Sequence, residues 1–410
     1  MNSRYLFIAL GYALVTLILW RLHHYSVQDF RPPGAGPDIQ AQLNWTGRAL
    51  REGAGEATQS WYPEGYFFAH AIYGSALVNQ ALLQRDDPAL LQRNVVELEW
   101  VLQRLESDAG RAPFARQQAV EYGVFYQGWL NRLVGGLLLL QPEGERSAER
   151  EAQFHRQTEA LAQAFLASPS LHLEAYPGSS WPVDNVVALS SLRLHDELYG
   201  TDYQSVIDQW LAYARSHLDP ETGLLPHAID ARTGQIRQGA RGSSLVLALI
   251  YLPELDPTFA EEQYSRFRTL YAQPVMDFIL FREYPHGVNG PSDVDSGPLL
   301  GGISPVASGV SLAAARANGD EESFERLVQL SEVVGMPITL GGEKRFIFGQ
   351  LAVGDAFLAW GKTLVPWRAT PTSYPVNDYP RLTSPWYLWT NGIALILMVG
   401  LGALLFRARR

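Results

Sequence analysis

The segments that separate the predicted helices of this 410-residue chain carry many acidic and aromatic side chains. They comprise Trp61, Tyr62, Glu64, Tyr66, Glu174, Tyr176, Trp181, Asp184, His227, Asp230, Glu283, Tyr284, His286, Asp293 and Asp295. An apolar wall raises the pKa of one carboxyl group while a better solvated neighbour stays ionised, so carboxyl groups among aromatic rings suit acid–base chemistry. These residue types therefore predict a site in which one acid donates a proton and another accepts one.

Single members of this set also have simpler interpretations. Asp184 could cap the helix that follows it, and Asp293 and Asp295 could be turn residues of the segment PSDVDSG. His227 and His286 each stand beside a proline and could be ordinary loop histidines. The prediction of a site therefore rests on the whole set and not on any one residue.

Several other kinds of site are not expected. The nine histidines show no HExxH spacing and the acidic pair at 293–295 lacks an EF-hand frame, so we expect no metal. A Walker loop, a GxGxxG unit and a GxSxG elbow are missing from the sequence, so we expect no cofactor and no hydrolase triad. The chain has no cysteine, which excludes disulfides and thiol nucleophiles, and its net charge of −10 argues against nucleic-acid partners.

Turn signals and apolar periodicity divide the middle of the chain into about twelve helical stretches, with no convincing β-strand. Their predicted extents are 38–50, 66–84, 88–106, 117–140, 147–167, 183–199, 203–217, 240–251, 258–272, 301–317, 321–334 and 349–364. Short turns alternate with long loops near 51–65, 107–116, 168–182, 218–239, 273–300 and 335–348. Alternation brings every long loop to one end of antiparallel helices and predicts an all-α (α/α)6 toroid. The alternative, an open helical solenoid, would show a common sequence period.

Apolar segments at both ends predict membrane helices. Residues 5–20 carry no charge, and residues 386–406 begin with two interfacial tryptophans and lead into a basic tail. A cleaved signal peptide is the alternative for the first segment, but no small-x-small cleavage site follows it. We therefore expect an N-terminal anchor at 1–24, a main domain at 30–380 and a C-terminal membrane helix at 386–410. The basic tail predicts both termini in the cytoplasm and the main domain on the extracytoplasmic side.

Five segments in order resemble the linalool dehydratase/isomerase family over somewhat more than a third of the chain. They are LHDELYGTDY (194–203), LDPETG (218–223), LDPTFAEEQYSRF (255–267), REYPHGVNGPSDVDSGP (282–298) and LAAARANGD (312–320). The resemblance implies an (α/α)6 barrel that adds or removes water at an unsaturated terpenoid alcohol and shifts its double bond without a cofactor. In that family cysteine, histidine, tyrosine and aspartate side chains act as the acid–base groups.

This sequence departs from the family at the reacting positions. Asp184 stands where the family has a cysteine, Trp129 replaces a histidine, and another family histidine aligns roughly with Asp230. Asp295 and Tyr62 have family-like settings as a rim carboxyl and a rim phenol. The resemblance thus implies Asp184, Asp230, Asp295 and Tyr62 as catalytic residues. It implies substrate contacts from Trp129, Tyr176, Trp181, His227, Glu283, His286 and Asp293.

The function expected from these features is that of a membrane-anchored, linalool dehydratase/isomerase-like lyase or isomerase. Asp184 and Asp230 would exchange protons with an apolar alcohol or alkene, Tyr62 or Tyr176 would orient the hydroxyl, and Trp129 and Trp181 would wall the pocket. The expected partners are an apolar small molecule and the membrane, while the sequence does not indicate an oligomeric state. A glycan-active (α/α)6 enzyme and a non-catalytic envelope scaffold are the alternatives.

Overall fold

A computed structural model of the chain describes residues 3–24, 36–368 and 382–408. Within these ranges the protein is mostly helical, with sixteen α-helices and three short β-hairpins. The predicted domain limits 30 and 380 and the last two arginines of the basic tail lie outside the described residues.

The helices follow the predicted pattern closely. They are α1 (Ser3–His23), α2 (Pro37–Arg51), α3 (Ala54–Gln59), α4 (Gly65–Leu83), α5 (Pro88–Leu105), α6 (Asp108–Arg111), α7 (Gly123–Leu140), α8 (Ala148–Ala167), α9 (Pro182–Tyr199), α10 (Gln204–Ser216), α11 (Gly242–Leu255), α12 (Pro257–Tyr271), α13 (Pro305–Ala317), α14 (Glu321–Val334), α15 (Ala352–Thr363) and α16 (Ser384–Ala408). Each of the twelve stretches predicted for the main domain overlaps one of them, whereas the short helices α3 and α6 lie in the predicted long loops 51–65 and 107–116.

Local sequence explains where many of these helices begin. Asp87 accepts hydrogen bonds from two backbone N–H groups at the start of α5, and Asp256 and Ser304 cap α12 and α13 in the same way. In all three helices a proline occupies the first turn, where its missing N–H has no helical partner to lose. The helix starts are therefore encoded by residues next to them in the chain.

The expectation that the chain lacks β-strands is wrong. Three antiparallel hairpins lie inside long loops: β1 (Ala228–Ile229) with β2 (Ile236–Gln238), β3 (Ala272–Val275) with β4 (Phe278–Phe281), and β5 (Ile338–Leu340) with β6 (Glu343–Arg345). Each strand has only two to four residues. Such strands are too short to show the two-residue periodicity by which a strand is identified in a sequence.

Six helices pack against one another in cyclic order. Helix α4 contacts α7, α7 contacts α9, α9 contacts α11, α11 contacts α13, α13 contacts α15, and α15 contacts α4 again. The helices α2, α5, α8, α12 and α14 each pack beside members of this set, and α10 lies between α8 and α9. Helices α4, α7 and α11 are apolar and buried on nearly all sides, as expected for helices enclosed by others.

Aromatic rings fill the space among these six helices. Trp129 of α7 is 1% exposed and its ring lies 5.3 Å from that of Phe68, 5.7 Å from that of Tyr251 and 6.3 Å from that of Trp360. The four residues come from α7, α4, α11 and α15, so the main hydrophobic core is shared by helices that are far apart in the sequence.

The only two lysines of the chain are both buried, and they share one acidic partner. The Nζ atoms of Lys344 and Lys362 lie 2.8 and 2.7 Å from Oε1 of Glu332, and Lys344 also lies 2.6 Å from a carboxylate oxygen of Asp38. Both ammonium groups also face the ring of Phe346. This lysine cluster ties together α2, α14, α15 and β6.

The terminal helices α1 and α16 pack against each other. The hydroxyl of Tyr12 donates to the carbonyl oxygen of Met398 over 2.7 Å, and Gly11 leaves room for the side chain of Leu401. Both helices are long and apolar enough to cross a membrane, and most of their large side chains are exposed, such as Phe7 and Leu388 at 75%.

The ends of α1 and α16 that lie nearest in sequence to the main domain contact α14 and β4. Arg21 donates to the carbonyl oxygen of Glu332 over 3.0 Å, and the indole of Trp386 packs edge-on against Phe278 at 5.3 Å. Asp277, at the tip of the β3–β4 hairpin, accepts a hydrogen bond of 2.5 Å from the backbone of Thr383. The two helices thus meet the domain at one place.

Candidate active site

The long loops that precede α4, α9, α11 and α13 contact one another. The backbone N–H of Ile229 donates to the carbonyl oxygen of Ser180 over 3.0 Å, which joins the loops 168–182 and 218–239 as the alternating pattern predicts. The hydroxyl of Tyr176 donates to Glu64, and the N–H of Gly242 donates to the carbonyl of Glu283. These contacts gather acidic and aromatic groups at the N-terminal ends of the buried helices.

Asp184 is the central acid of this group. It is the third residue of α9, whose N-cap position is held by Trp181, so its carboxyl group is not a plain helix cap. The residue is 6% exposed, and among the described residues its carboxyl group has no hydrogen-bonding side chain or backbone partner. Burial, and then the negative charges of Asp295 and Glu64, raises the pKa of Asp184 well above its ordinary value.

Tyr62 and Asp295 face Asp184 from two other loops. Burial and then the carboxylates of Asp295, Glu64 and Asp184 raise the pKa of the Tyr62 phenol, which places this phenol among three acids. Asp295 is exposed as a residue, yet loss of water around its carboxyl group, followed by repulsion from Asp293, raises its pKa to about 6. Two acids with raised pKa values therefore stand beside one phenol.

Glu64 and Tyr176 form the wall of the site on the α4 side. The Tyr176 hydroxyl donates a short hydrogen bond to Glu64, and desolvation together with this bond raises the pKa of the phenol. The Tyr176 ring stacks at 5.8 Å on that of Phe114 and meets the indole of Trp181 edge-on at 5.9 Å. Tyr176 and Trp181 thus lie together, and the carboxylate of Glu64 binds the Tyr176 phenol.

Arg241, which is not among the residues predicted from the sequence, binds two acids on the other side of the site. Arg241 is the N-cap residue of α11, and its guanidinium binds Glu283 through Nε at 2.7 Å and Asp293 through Nη1 at 2.5 Å. Its third nitrogen, Nη2, is buried and has no hydrogen-bond partner within the described part of the chain. A buried donor without a partner is rare in folded proteins, so this N–H group is available to a bound molecule.

Glu283 and Asp293, which were predicted to contact the substrate, therefore bind the guanidinium of Arg241. Glu283 is fully buried, and both its oxygens are held by Arg241 and by the backbone and hydroxyl of Ser243. Desolvation opposes ionisation of Asp293, but the hydrogen bonds from Arg241 and the backbone of Ser296 outweigh it and lower its pKa to about 2. Both carboxyl groups position the guanidinium.

His227 is a buried, neutral contact of Trp181. Its Nε2 accepts from the indole N–H of Trp181 over 3.2 Å, which assigns the ring proton to Nδ1, 2.9 Å from the hydroxyl of Ser244. Burial and then the charge of Arg241 lower the pKa of His227 to about 4. The histidine therefore fixes the orientation of Trp181 at neutral pH.

The structure does not bring three of the predicted residues into this group. Asp230 lies in the turn of the β1–β2 hairpin, where Arg237 and two backbone N–H groups bind its carboxylate and lower its pKa to about 2. His286 is exposed and bonded to the carbonyl oxygen of Ala272. Trp129 lies in the aromatic core, where it packs on Phe68. Asp230 is thus held by residues next to it in the chain, whereas Trp129 is held by helices far from it in the sequence.

No group of three or more His, Asp or Glu side chains within residues 3–24, 36–368 and 382–408 is arranged to hold a metal ion. The arrangement offers a buried carboxyl group that accepts no hydrogen bond from the described residues, a second carboxyl group whose pKa is raised to about 6, a phenol, and a guanidinium nitrogen without a partner in the same residues. No protein-family model matches this chain.

Proposed function

We propose that this protein is a membrane-anchored lyase or isomerase that moves protons at an apolar alcohol or alkene without a cofactor. The observation that carries the proposal is the carboxyl group of Asp184, which is almost completely buried and unpartnered in the described residues. Such a group destabilises the fold unless it interacts with a bound molecule or serves a reaction. Its placement where the linalool dehydratase/isomerase family has a reacting cysteine supports the same assignment.

We also infer that the main domain is an (α/α)6 toroid. The cyclic contacts α4–α7–α9–α11–α13–α15–α4 support six inner helices, with α5, α8, α10, α12, α14 and α2 outside them. The loops that carry Tyr62 and Asp295 lead into the N-terminal ends of α4 and α13, and Asp184 lies in the first turn of α9. In a toroid these ends surround one opening, and the reacting groups would line it.

The proposed reaction is loss of water from an alcohol. Asp184, kept protonated by burial, donates its proton to the hydroxyl oxygen as the carbon–oxygen bond breaks and water leaves. Asp295, ionised above about pH 6, removes a proton from the adjacent carbon, and that electron pair forms the double bond. The proton then returns from Asp295 to Asp184, and the reverse sequence adds water.

Tyr62 and Arg241 would orient the substrate in this scheme. The phenol of Tyr62 lies among Asp184, Asp295 and Glu64, where it can hold the substrate hydroxyl beside the donor acid. The unpartnered Nη2 of Arg241 can donate to the same oxygen or to Asp295 once that acid is ionised. Both act by positioning, which converts the bound substrate into a reactive geometry.

The terminal helices would hold the protein in the membrane. Their domain-side ends, at His23 and Ser384, meet the same part of the domain, so two spans would leave both termini on one side. The basic residues at the end of the chain favour the cytoplasm for the termini and the extracytoplasmic side for the domain. An apolar substrate would concentrate in the bilayer next to the enzyme.

A glycan-active enzyme is the second candidate, favoured by one observation. Trp61 is 54% exposed and its ring stacks at 6.2 Å on that of Tyr62, so an aromatic platform adjoins the acids. A sugar ring could bind there between carboxyl groups. A non-catalytic scaffold is less compatible with Asp184, because a protein that has lost its reaction gains stability by replacing such an acid.

Profiling of lipids and isoprenoids in cells with and without the protein tests the proposal first. We expect an alcohol or its dehydrated product to change in level, and the compound found becomes the substrate for purified protein. Asp184→Asn should then fold normally and lose roughly 10²–10⁴-fold in turnover, the usual contribution of a positioned acid. Asp208→Asn, on the exposed face of α10, is the matched control and should retain full activity.

Full activity of Asp184→Asn, at a melting temperature equal to that of the wild type, would refute the catalytic role. Accumulation of an oligosaccharide in place of an apolar alcohol would favour the glycan-active candidate. Loss of a sugar-dependent activity in Trp61→Ala, with no loss of alcohol turnover, would point the same way.

A further inference from the structure

Four large apolar side chains of the main domain are exposed near the point where the terminal helices meet it. They are Met276, Val334, Ile347 and Phe348, at 46%, 54%, 52% and 64% exposure. We call them the apolar patch. Scattered exposed apolar residues are common on soluble proteins, but a group of them next to one interface is not.

The apolar patch is continuous with the contacts of α1 and α16. Val334 follows Val333, which is buried in a small cluster with Phe278 and Trp386. Met276 precedes Asp277, the residue that binds the backbone of Thr383. The backbone N–H of Ile347 donates to the carbonyl oxygen of Gly335 over 2.8 Å. Ile347 and Phe348 therefore lie beside the end of α14.

Three of these side chains stand on strained backbone. Met276, Ile347 and Phe348 have φ angles of 53°, 46° and 57°, in the left-handed region that side chains other than glycine seldom adopt. Strain of this kind destabilises the folded chain. In water the exposure of these apolar groups does not offset the strain, whereas a surrounding apolar phase would stabilise them.

We propose that the apolar patch is immersed in the interfacial layer of the bilayer that α1 and α16 span. This inference rests on the proposed two-span anchoring and is independent of the reaction. Trp20 and Trp389, 54% and 57% exposed near the domain-side ends of α1 and α16, mark where the spans leave the membrane, because tryptophan favours the interface. The patch lies on the domain surface at the end of the spans, so the bilayer surface is the nearest apolar phase.

The position of the patch also determines how the candidate active site would be oriented relative to the membrane. The loop 273–300 carries both Met276 of the patch and Asp295 of the candidate active site. The loop that contains Ile347 and Phe348 leads directly into α15, one of the helices in the cyclic set. A domain held by the patch would therefore present its loop-bearing end to the membrane and not to the aqueous phase.

The chain has no cysteine, so single-cysteine variants of the full-length protein can each carry one nitroxide label. Phe348→Cys and Val334→Cys report on the patch, and Ile396→Cys reports on α16. Val96→Cys, 60% exposed on α5, reports on a helix that packs on α4 and α7. The labelled proteins are reconstituted in nanodiscs of phosphatidylcholine and phosphatidylglycerol. Collision with oxygen, which enriches in lipid, is compared with collision with a water-soluble nickel chelate.

We expect the oxygen-to-nickel ratio to be severalfold higher at 348 and 334 than at 96, and highest at 396. A ratio at 348 and 334 equal to that at 96, with 396 in lipid, would overturn the inference and leave the anchoring intact. Labels at 348 and 334 that are shielded from both reagents would also overturn it, since a protein would then cover the patch. A label at 396 exposed to the nickel chelate would reject the anchoring itself.

Discussion

Two buried acids of this protein have opposite surroundings. Glu332 of the lysine cluster is 1% exposed, and desolvation of its carboxylate is outweighed by Lys362 and Lys344, so its pKa is lowered. Asp184 is 6% exposed, but its neighbours are other acids, and its pKa is raised. Burial alone therefore does not identify a reacting group, because the charge of the partners decides whether the acid is ionised.

The difference extends to what each region contributes. In the lysine cluster, two ammonium groups and the carboxylates of Glu332 and Asp38 hold α2, α14, α15 and β6 together. At the candidate site, the carboxyl group of Asp184 is surrounded by other acids, and Nη2 of Arg241 is buried without a partner in the described residues. We interpret the first region as structural and the second as the part of the molecule prepared for a ligand.

Removal of Glu332 should produce the largest loss of stability. In Glu332→Gln the ammonium groups of Lys344 and Lys362 stay buried with one acid fewer, and breaking a buried ion pair in this way costs about 3–5 kcal/mol. Urea unfolding followed by circular dichroism measures the change. A loss below about 1 kcal/mol, the range of exposed ion pairs, would show that solvent reaches the cluster.

The activity should depend on pH through Asp295. Its pKa of about 6 means that the proposed base is protonated below that pH and ionised above it. We expect kcat/KM to rise about tenfold per pH unit below pH 6 and to level off above it. The apparent values belong to the coupled acids Asp184 and Asp295. Asp295→Asn should remove this limb of the profile, and an unchanged profile in that variant would exclude Asp295 as the base.

Stability should respond to pH in the opposite sense at Asp184. Because the folded pKa is raised, protonation favours the folded state below the unfolded value near 3.8, and this contribution is lost as pH rises through the folded pKa. Asparagine cannot ionise, so Asp184→Asn should melt at an increasingly higher temperature than the wild type as pH rises. Melting scans from pH 5 to pH 9 test this. A constant difference would mean that Asp184 has an ordinary pKa.

The smallest effect is expected at Asp230. Its carboxylate binds Arg237 and the backbone of its own hairpin turn, so Asp230→Asn should lower the melting temperature only slightly and leave turnover unchanged. Asp230 was predicted from the sequence to exchange protons with Asp184. A large loss of turnover in this variant would restore that role and require movement of the hairpin during the reaction.

The helices of this protein are easier to predict from the sequence than the residues of its candidate site. Helix starts such as Asp87-Pro88 and Asp256-Pro257 are determined by adjacent residues, and all twelve predicted stretches of the main domain overlap a helix. Tyr62, Asp184 and Asp295 could be proposed together because carboxyl and phenol groups in loops stand out. Arg241 could not, because its importance comes from two acids, Glu283 and Asp293, that are 42 and 52 residues away in the chain.

The buried lysines also determine how the folded protein responds to chemical reagents. Apart from the N-terminal amine, the chain has no primary amine outside Lys344 and Lys362, and these are 1% and 4% exposed. Succinimidyl esters, amine-directed cross-linkers and lysine-specific proteases therefore have no accessible lysine while α14, α15 and β6 stay together. The rate at which such reagents modify these two side chains would report the local opening of this region, residue by residue, without any engineered probe.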